Sequence, residues 1–444
     1  MESGSELTSI AEWIQANVGG TIVRAARQPR WRPVWFIDVE RDGELLELYV
    51  RGDRLDFPGA FPFEHEMLCQ RLLEEHGIPV PHVYGWIDDP RAFVTDRAPG
   101  KPDFIGVSEA QRDAVVEDYL AILARLHALD VEPFARAGVR RAATPAGSGD
   151  IGMQRYVDNY RRTKKRPDPF LEFCLGWLAR HPVDTRGRES MVLWDTGQFH
   201  QRDGRVEAIL DVELAHIGDP MMDLAAFRMR DTVIGYGNFG QLYARYAELA
   251  GYPVDLEAIE LHHIAFTLSN QLAFHAALAD PPPGSDYMTN LQWCNETNLF
   301  AVEAIADAIG IDLPECPLPA VEHSPVARAH EHLVLMLRNF PVADEFADYQ
   351  RRTAFRLARH LTRADALGRA CAEADLDDLQ ALLGHRPATW EEGDAELERF
   401  VLADDGNRDD ELVLLFHRRL WRAHQLMGPA GSAMTKHLPI QRFR

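Results

Sequence analysis

Apolar residues recur along the chain in two different periods, and the change of period divides it. From residue 33 to 50, PVWFIDVERDGELLELYV, two runs rich in Val, Ile, Leu and aromatic residues flank Asp42-Gly43, a pair suited to a tight hairpin turn. A strand pair is therefore expected to open the fold. Glu64 to His76 carries Met67, Leu68, Leu72 and Leu73 on one helical face. The segment VPHVYGWIDDPRAFVT predicts a second strand pair, turning at Asp88 to Pro90. The order strand, strand, helix, strand, strand describes a small mixed lobe, and Asp96-Arg97-Ala98-Pro99-Gly100 marks a hinge at its end.

Beyond the hinge the period is helical. Arg112 to Leu129 places Val115, Val116, Tyr119, Leu120, Ile122, Leu123 and Leu126 at core spacing. Residues 141–152 read as a loop, and helices are expected near 153–165 and 168–181. A β interval, ESMVLWDTGQFHQRDGRVEAILDVE, then interrupts them, with a turn at Asp203-Gly204 and a strand expected to end at Asp211. Helices are expected again from Met221 to about 310, and two or three more over 328–385 after a Pro-rich stretch. The tail from Trp390 to Arg444 reads as a helical appendage.

A length of 444 residues allows two or three domains, and 46% apolar with 26% charged residues is the composition of an ordinary globular protein. Forty-seven basic against 69 acidic side chains give a formal charge of −22, which repels nucleic acid and anionic membrane, so neither is an expected partner. The five cysteines are scattered and form neither a C-x-x-C pair nor a Cys/His cluster. A reducing, cytoplasmic location and no zinc are expected. The start, MESGSELTSIAEW, is acidic and polar where a secretory signal is basic and then apolar, and no apolar run reaches membrane-spanning length. A soluble protein is expected.

Two matches to G-x-G-x-x-G, at Gly147 to Gly152 and Gly235 to Gly240, lack the strand–helix–strand setting of a dinucleotide loop and read as loops and helix starts. The basic run Arg161 to Arg166 reads as a solvated helix end, with contact to phosphates of a coenzyme A ester as the alternative. His127 reads as a packed, hydrogen-bonded histidine, and Asn295-Glu-Thr297 as a glycosylation sequon in form only.

Chemistry concentrates between Asp203 and Ala225. A hairpin strand delivering Asp211 to a loop mouth suits a hard cation such as Mg²⁺, held by one or two carboxylates plus phosphate oxygens. Asp219 and Asp223 read more simply as helix caps. Leu210 to Ala225 resembles the pattern L-D-W-E-L-A-H-x-G-D-P followed by D-L-A, with Val212 in place of Trp. That pattern belongs to the aminoglycoside phosphotransferase and choline kinase family, in the branch fused in some proteins to acyl-CoA dehydrogenases. Tyr49-Val50-Arg51, Glu66, Gly77-Ile-Pro79-Val-Pro81, the hinge and Leu123 to Asp130 look like further landmarks of it, over roughly residues 20 to 310.

The resemblance implies an α+β, two-lobed protein-kinase-like fold, to which the tail beyond it adds a helical C-terminal extension, dividing the chain at 1–98, 99–340 and 341–444. It implies ATP with Mg²⁺ or Mn²⁺ and a hydroxylated small-molecule acceptor; a homodimer through the C-terminal helices is a separate expectation. Arg51 would neutralise phosphate charge, Glu66 would orient Arg51, Asp96 would lie at the nucleotide, and Asp211 would bind the metal. A hydroxyacyl-CoA or other hydrophobic alcohol suits the branch better than an antibiotic.

The chain departs from the family in two places. Kinases of this superfamily place a base Asp five residues before an amide ligand, in H-G-D-x-x-x-x-N or H-R-D-x-x-x-x-N, and neither occurs here. One register makes Asp195 the base and puts His200 at the metal position, at the cost of a two-residue deletion. The preferred, ungapped register makes Gln198 the amide ligand, puts Leu193 where the base belongs and leaves Asp195 to align the acceptor. At Arg27 to Pro33 a Gly/Ser turn is replaced by arginines able to bind phosphate, and by Trp31 and two prolines able to close the mouth. The expected activity is phosphoryl transfer from ATP to a hydroxyl. Its rivals are a pseudokinase that binds or scaffolds, and a different reaction in the same pocket.

Overall fold

Ile10, Ile14 and Val18 recur every fourth residue, and in the computed structural model of the chain they seat a first helix, α1 (Glu2–Asn17), in the core of a sheet. The structure describes residues 2–30, 32–54, 59–283, 285–322 and 324–442. Trp31, expected at the phosphate mouth, lies outside the described residues. Strands β1 (Thr21–Arg27), β2 (Val34–Arg41) and β3 (Glu44–Gly52), helix α2 (Phe63–Glu75), then β4 (Val83–Ile87) and β5 (Ala92–Asp96) follow. The sheet is antiparallel throughout, in the order β1-β2-β3-β5-β4. Both predicted strand pairs are present, but α1 and β1, not a strand pair, open the fold. The three-residue stripe of α1 is set among Ser, Glu and Gln, so its helical period is faint in the sequence.

After the hinge come α3 (Glu109–His127), α4 (Glu132–Arg136), a single 3₁₀ turn at Pro145–Gly147, α5 (Ile151–Thr163) and α6 (Pro169–Arg180). Ser108 and Gln111 cap α3 reciprocally, which fixes its start. The β interval resolves into β6 (Ser190–Val192), β7 (Phe199–Arg202), β8 (Arg205–Ile209) and β9 (His216–Gly218), with β6 paired to β9 and β7 to β8. β8 stops at Ile209, two residues short of the expected end, because Asp211 adopts a left-handed conformation at φ 60° that no strand continues through. Helices α7 (Met221–Ile234), α8 (Phe239–Ala250), α9 (Leu256–Thr267), α10 (Ser269–Ala279), α11 (Tyr287–Ile309), α12 (Ala327–Asn339), α13 (Glu345–Leu383), α14 (Trp390–Ala403) and α15 (Asp409–Gln425) complete the chain.

Met1–Arg155, Asp184–Ile259 and Ile440–Arg444 form one compact unit; Tyr156–Val183 and Glu260–Pro439 form a second. The expected boundary at residue 98 falls inside the first. The second G-x-G-x-x-G match caps α7 at Gly235 and starts α8, and His127 is packed, with Nδ1 2.6 Å from the Tyr246 hydroxyl and Nε2 3.1 Å from Asp223. The basic run is not simply solvated: Arg161 and Lys164 both meet the buried Glu172, and Lys164 also meets Glu398. All five cysteines are free thiols. No helix among the described residues is long and apolar enough to cross a membrane.

Candidate nucleotide and metal site

Strand alternation builds the first half of the site. Leu48 and Val50 of β3 are buried in the core shared with α1, so Arg51 points to the opposite face, toward α2. There its Nε donates to Glu66 at 2.8 Å, and its Nη2 donates to Asp211 at 2.6 Å and to Glu213 at 3.2 Å. Glu66 lies in the first turn of α2, next to His65, whose Nε2 donates to the Ala215 carbonyl at 2.6 Å. That bond ties α2 to the loop that follows Asp211.

A second guanidinium enters from the turn between β1 and β2. Arg32, only 7% exposed, reaches Glu66 at 3.4 Å and Glu213 at 2.6 Å. Glu66, Asp211 and Glu213 present carboxylate oxygens within 4.8 Å of one another. Three carboxylates thus share two guanidiniums, and the surplus negative charge shapes the protonation of the group. Burial raises the Glu66 carboxyl to about 7, against the pull of Arg51 and with Glu213 adding to the rise. Burial acts on Asp211 in the same sense, but Arg51, Arg32 and Arg230 overcome it and carry its carboxyl down to about 2. Burial likewise opposes the Arg51 cation, and Glu66 and Asp211 more than offset it.

The loop between β6 and β7 supplies the other half. Asp223, buried in α7, accepts the backbone N–H groups of Leu193 at 3.0 Å and Trp194 at 2.7 Å, and so clamps the loop rather than capping a helix. Asp219 does cap, accepting from Met221 N at 3.1 Å while it holds Arg188 in a two-pronged contact. Trp194 is left-handed at φ 62°, and its ring lies against Gly152, where a Cβ would sit 2.4 Å from it. Gly197 is left-handed at φ 86° and threads between two tyrosines: its N–H donates to Tyr119 Oη at 2.6 Å, and its carbonyl accepts from Tyr236 Oη at 2.7 Å. A side chain at 197 would strike Tyr236 Oη at 2.7 Å.

Leu193 is 1% exposed, whereas the Asp195 carboxylate lies close enough to Arg230, Asp211 and Glu213 to feel their charge: burial raises its carboxyl, the Arg230 cation opposes the rise, and Asp211 and Glu213 add to it. Gln198 Nε2 donates to Asp195 at 2.9 Å, and the Gln198 carbonyl accepts from Leu210 N at 2.9 Å, one residue before Asp211. Asp195 and Gln198, drawn from the two different registers, are thus hydrogen-bonded to each other, three residues apart.

Two predicted residues have other contacts. His200 Nδ1 is 3.0 Å from the Ala98 carbonyl and 3.1 Å from that of Pro99, so the imidazole braces the hinge and is not in the carboxylate group around Asp211. Asp96 ends β5 and accepts from Tyr84 Oη at 2.8 Å. Three residues that sequence reasoning does not single out belong to the site. Glu213 lies inside the motif that identifies Asp211; Arg32 is one of several arginines in its turn; Arg230, which pairs with Asp195 and donates to the Thr196 carbonyl at 3.0 Å, carries no local signal.

The model of the phosphotransferase enzyme family matches residues 29–260. Acyl-CoA dehydrogenase family member 11 of Rattus norvegicus is 27% identical over 212 residues, which cover 45% of this chain and 27% of that protein. The chain thus spans about a quarter of the length of that relative. Among solved structures, the macrolide 2'-phosphotransferase MphH from Brachybacterium faecium is similar at 20% identity and a TM-score of 0.45, covering 66% of this chain and 98% of that one. The choline kinase LicA from Streptococcus pneumoniae is similar at 14% identity and a TM-score of 0.47, covering 68% and 98%.

Proposed function

Because the chain belongs to the phosphotransferase enzyme family, we propose that it is an ATP-dependent small-molecule kinase, transferring the γ-phosphoryl group to a hydroxyl of a small or acyl-CoA-like substrate. The observation that carries this proposal is the ion cluster in which Arg51 joins Glu66 to Asp211. Phosphoryl transfer needs charge neutralisation on the phosphates and a hard-cation site beside them, with little covalent work for the protein. The all-oxygen donor set of Glu66, Asp211 and Glu213 fits Mg²⁺ or Mn²⁺ and does not suit zinc. Asp211 and Glu213, with the Gln198 amide, would hold the cation, while Glu66 orients Arg51. When bound, the ion supplies charge stabilisation to the transferring group.

The chain's own residues divide the remaining work. Arg51 and Arg32 neutralise phosphate oxygens. Asp195 aligns the acceptor hydroxyl and takes its proton as the new oxygen–phosphorus bond forms and the bond to the departing ADP oxygen breaks. The name of the rat relative supports a hydroxylated acyl-CoA-like acceptor, and a cytoplasmic setting belongs to the same proposal.

One observation favours a second reading. Asp195 is ion-paired to Arg230 and hydrogen-bonded by Gln198, so the expected base is already engaged, as suits a pseudokinase that binds nucleotide without turning it over. Incubation with ATP, Mg²⁺ or Mn²⁺ and a panel of hydroxylated acyl-CoAs, sterols and amino sugars separates the two. Acceptor-dependent ADP release that disappears in Asp211→Asn supports the kinase. No release across the panel, together with nucleotide-induced thermal stabilisation, supports the binding protein.

A further inference from the structure

The second compact unit contains a cavity that phosphoryl transfer does not use. No side chain of α12 is buried, and Leu333, Leu335 and Met336 are 40%, 51% and 53% exposed. Between α12, α13 and the turn at Pro429-Ala430 lies a cavity of about 490 Å³, within the size range of small-molecule sites. Val334, Leu335, Ala366 and Pro429 give it an apolar lining, and Arg338, Arg359 and Arg363 stand around it.

Those arginines are out of keeping with a chain of net charge −22. None of them has a carboxylate within 4.0 Å among the described residues. Arg338 and Arg359 instead rest on the same ring, each with Cζ 5.6 Å from the centre of Phe355. Arg363 donates to the Gln425 carbonyl at 3.2 Å. Two cations thus share one aromatic ring, and among the described residues no carboxylate is paired with either. The cavity's own acidic residue, Glu331, is paired with Arg328 at 2.7 Å.

We propose that this cavity binds an amphipathic anion: an acyl or alkyl chain of medium length with a carboxylate or phosphate head. The chain covers the Val334, Leu335, Ala366 and Pro429 surface, and the head meets the guanidiniums of Arg338 and Arg359 that stand around the cavity, whose planar donors match either oxyanion. The site belongs to the unit that lacks Arg51 and Asp211, so it stands whether or not the chain is a kinase.

Calorimetric titration of the full chain with octanoate, decanoate, dodecanoate, decyl phosphate and decanol, each below its micellar concentration, tests this. One site is expected, with affinity rising about 3- to 4-fold per methylene and both decyl anions binding about tenfold or more tighter than decanol. Arg338→Gln and Arg359→Gln should each weaken decanoate several-fold without changing decanol binding or the circular dichroism melt. Leu335→Glu, which sets a carboxylate on the lining of an exposed helix face, should abolish anion binding in a folded chain. Equal binding of decanol and decanoate, or arginine variants that bind as the parent does, would overturn the proposal. So would sedimentation showing a dimer that excludes decanoate, which assigns the face to a second copy, or binding confined to anionic phosphatidylglycerol vesicles, which assigns it to a membrane surface.

Discussion

Arg51→Met removes a guanidinium and keeps an unbranched stem, and it strikes the point where most of the site's charge is balanced. Arg51 lies 2.8 Å from Glu66, 2.6 Å from Asp211 and 3.2 Å from Glu213. Without it, Asp211 loses its ion pair with Arg51, Arg32 is left to pair with both Glu66 and Glu213, and Glu66, whose side chain is 4% exposed, loses the nearer of its two cations. Removing one partner of a buried pair costs about 3–5 kcal/mol. Asp211 and Glu213, 31% and 38% exposed, are partly screened by solvent, so the lower end, about 3 kcal/mol, applies. At roughly 2–4 °C per kcal/mol for a domain of this size, the variant should melt about 6–12 °C below the parent in EDTA. A divalent cation at a hundred times its dissociation constant contributes about 2.7 kcal/mol. Millimolar MgCl₂ or MnCl₂ should therefore restore most of the loss, and should raise the parent's melting temperature less, because two guanidiniums already compete there for the same oxygens. Scanning calorimetry with and without metal reads both effects. A variant that melts within about 2 °C of the parent, or equal metal shifts in the two proteins, would refute the shared-charge account of the cluster.

Three further outcomes are expected. Arg32→Gln keeps reach but removes charge from Glu66 and Glu213, so Mn²⁺ alone should bind several-fold tighter while ADP binds more weakly; calorimetry showing both moving in one direction contradicts this. Gly152→Ala drives a methyl to 2.4 Å from the Trp194 ring and should cost about 1–3 kcal/mol, with faster hydrogen exchange over residues 193–198 as the readout. His424 is fully buried, and burial with the nearby His437 lowers its imidazole from 6.5 to about 4. The unfolded chain then takes up the proton first, so stability is complete above pH 6.5 and falls below it, by about 2 kcal/mol at pH 5 and about 3 at pH 4. His424→Phe should flatten that slope in urea titrations; an unchanged slope would assign it to other groups.

The parts of the molecule that the sequence discloses are those encoded over short distances. Asp42-Gly43 and Asp203-Gly204 sit at their turns because two adjacent residues carry the conformation, with Asp42 at φ 55° and Asp203 at φ 52°. Asp211 is legible through its motif, although its left-handed backbone is not. The charge network is another matter. Arg32 meets Glu213 across 181 residues and Arg51 meets Asp211 across 160, and no periodicity or turn signal links positions so far apart. Asp223 shows the same limit in a different form. Its place at the start of α7 resembles a cap, whereas its carboxylate is spent on Leu193 and Trp194, about 30 residues upstream.

What the ion pairs imply for Asp195 depends on which effect carries the rate. Arg230 opposes the rise that burial gives the Asp195 carboxyl, and general-base catalysis supplies about 10²- to 10⁴-fold. Positioning and charge stabilisation supply the larger share of phosphoryl transfer, and on the proposed kinase reading the ion cluster around Arg51 would provide them. Arg230 also enters the local charge balance. Four carboxyls, Asp195, Glu66, Asp211 and Glu213, are set against three guanidiniums, Arg32, Arg51 and Arg230, and with Glu66 titrating at about 7 the group is close to balance at neutral pH. A polyphosphate alone would add several negative charges to that balance, whereas one accompanied by a divalent cation would add fewer. On the proposed kinase reading, a phosphate oxygen would draw Arg230 from Asp195 and leave that carboxylate to the acceptor. Acceptor-dependent turnover, and not the resting ion pair, is therefore the measurement that separates a kinase from a binding protein.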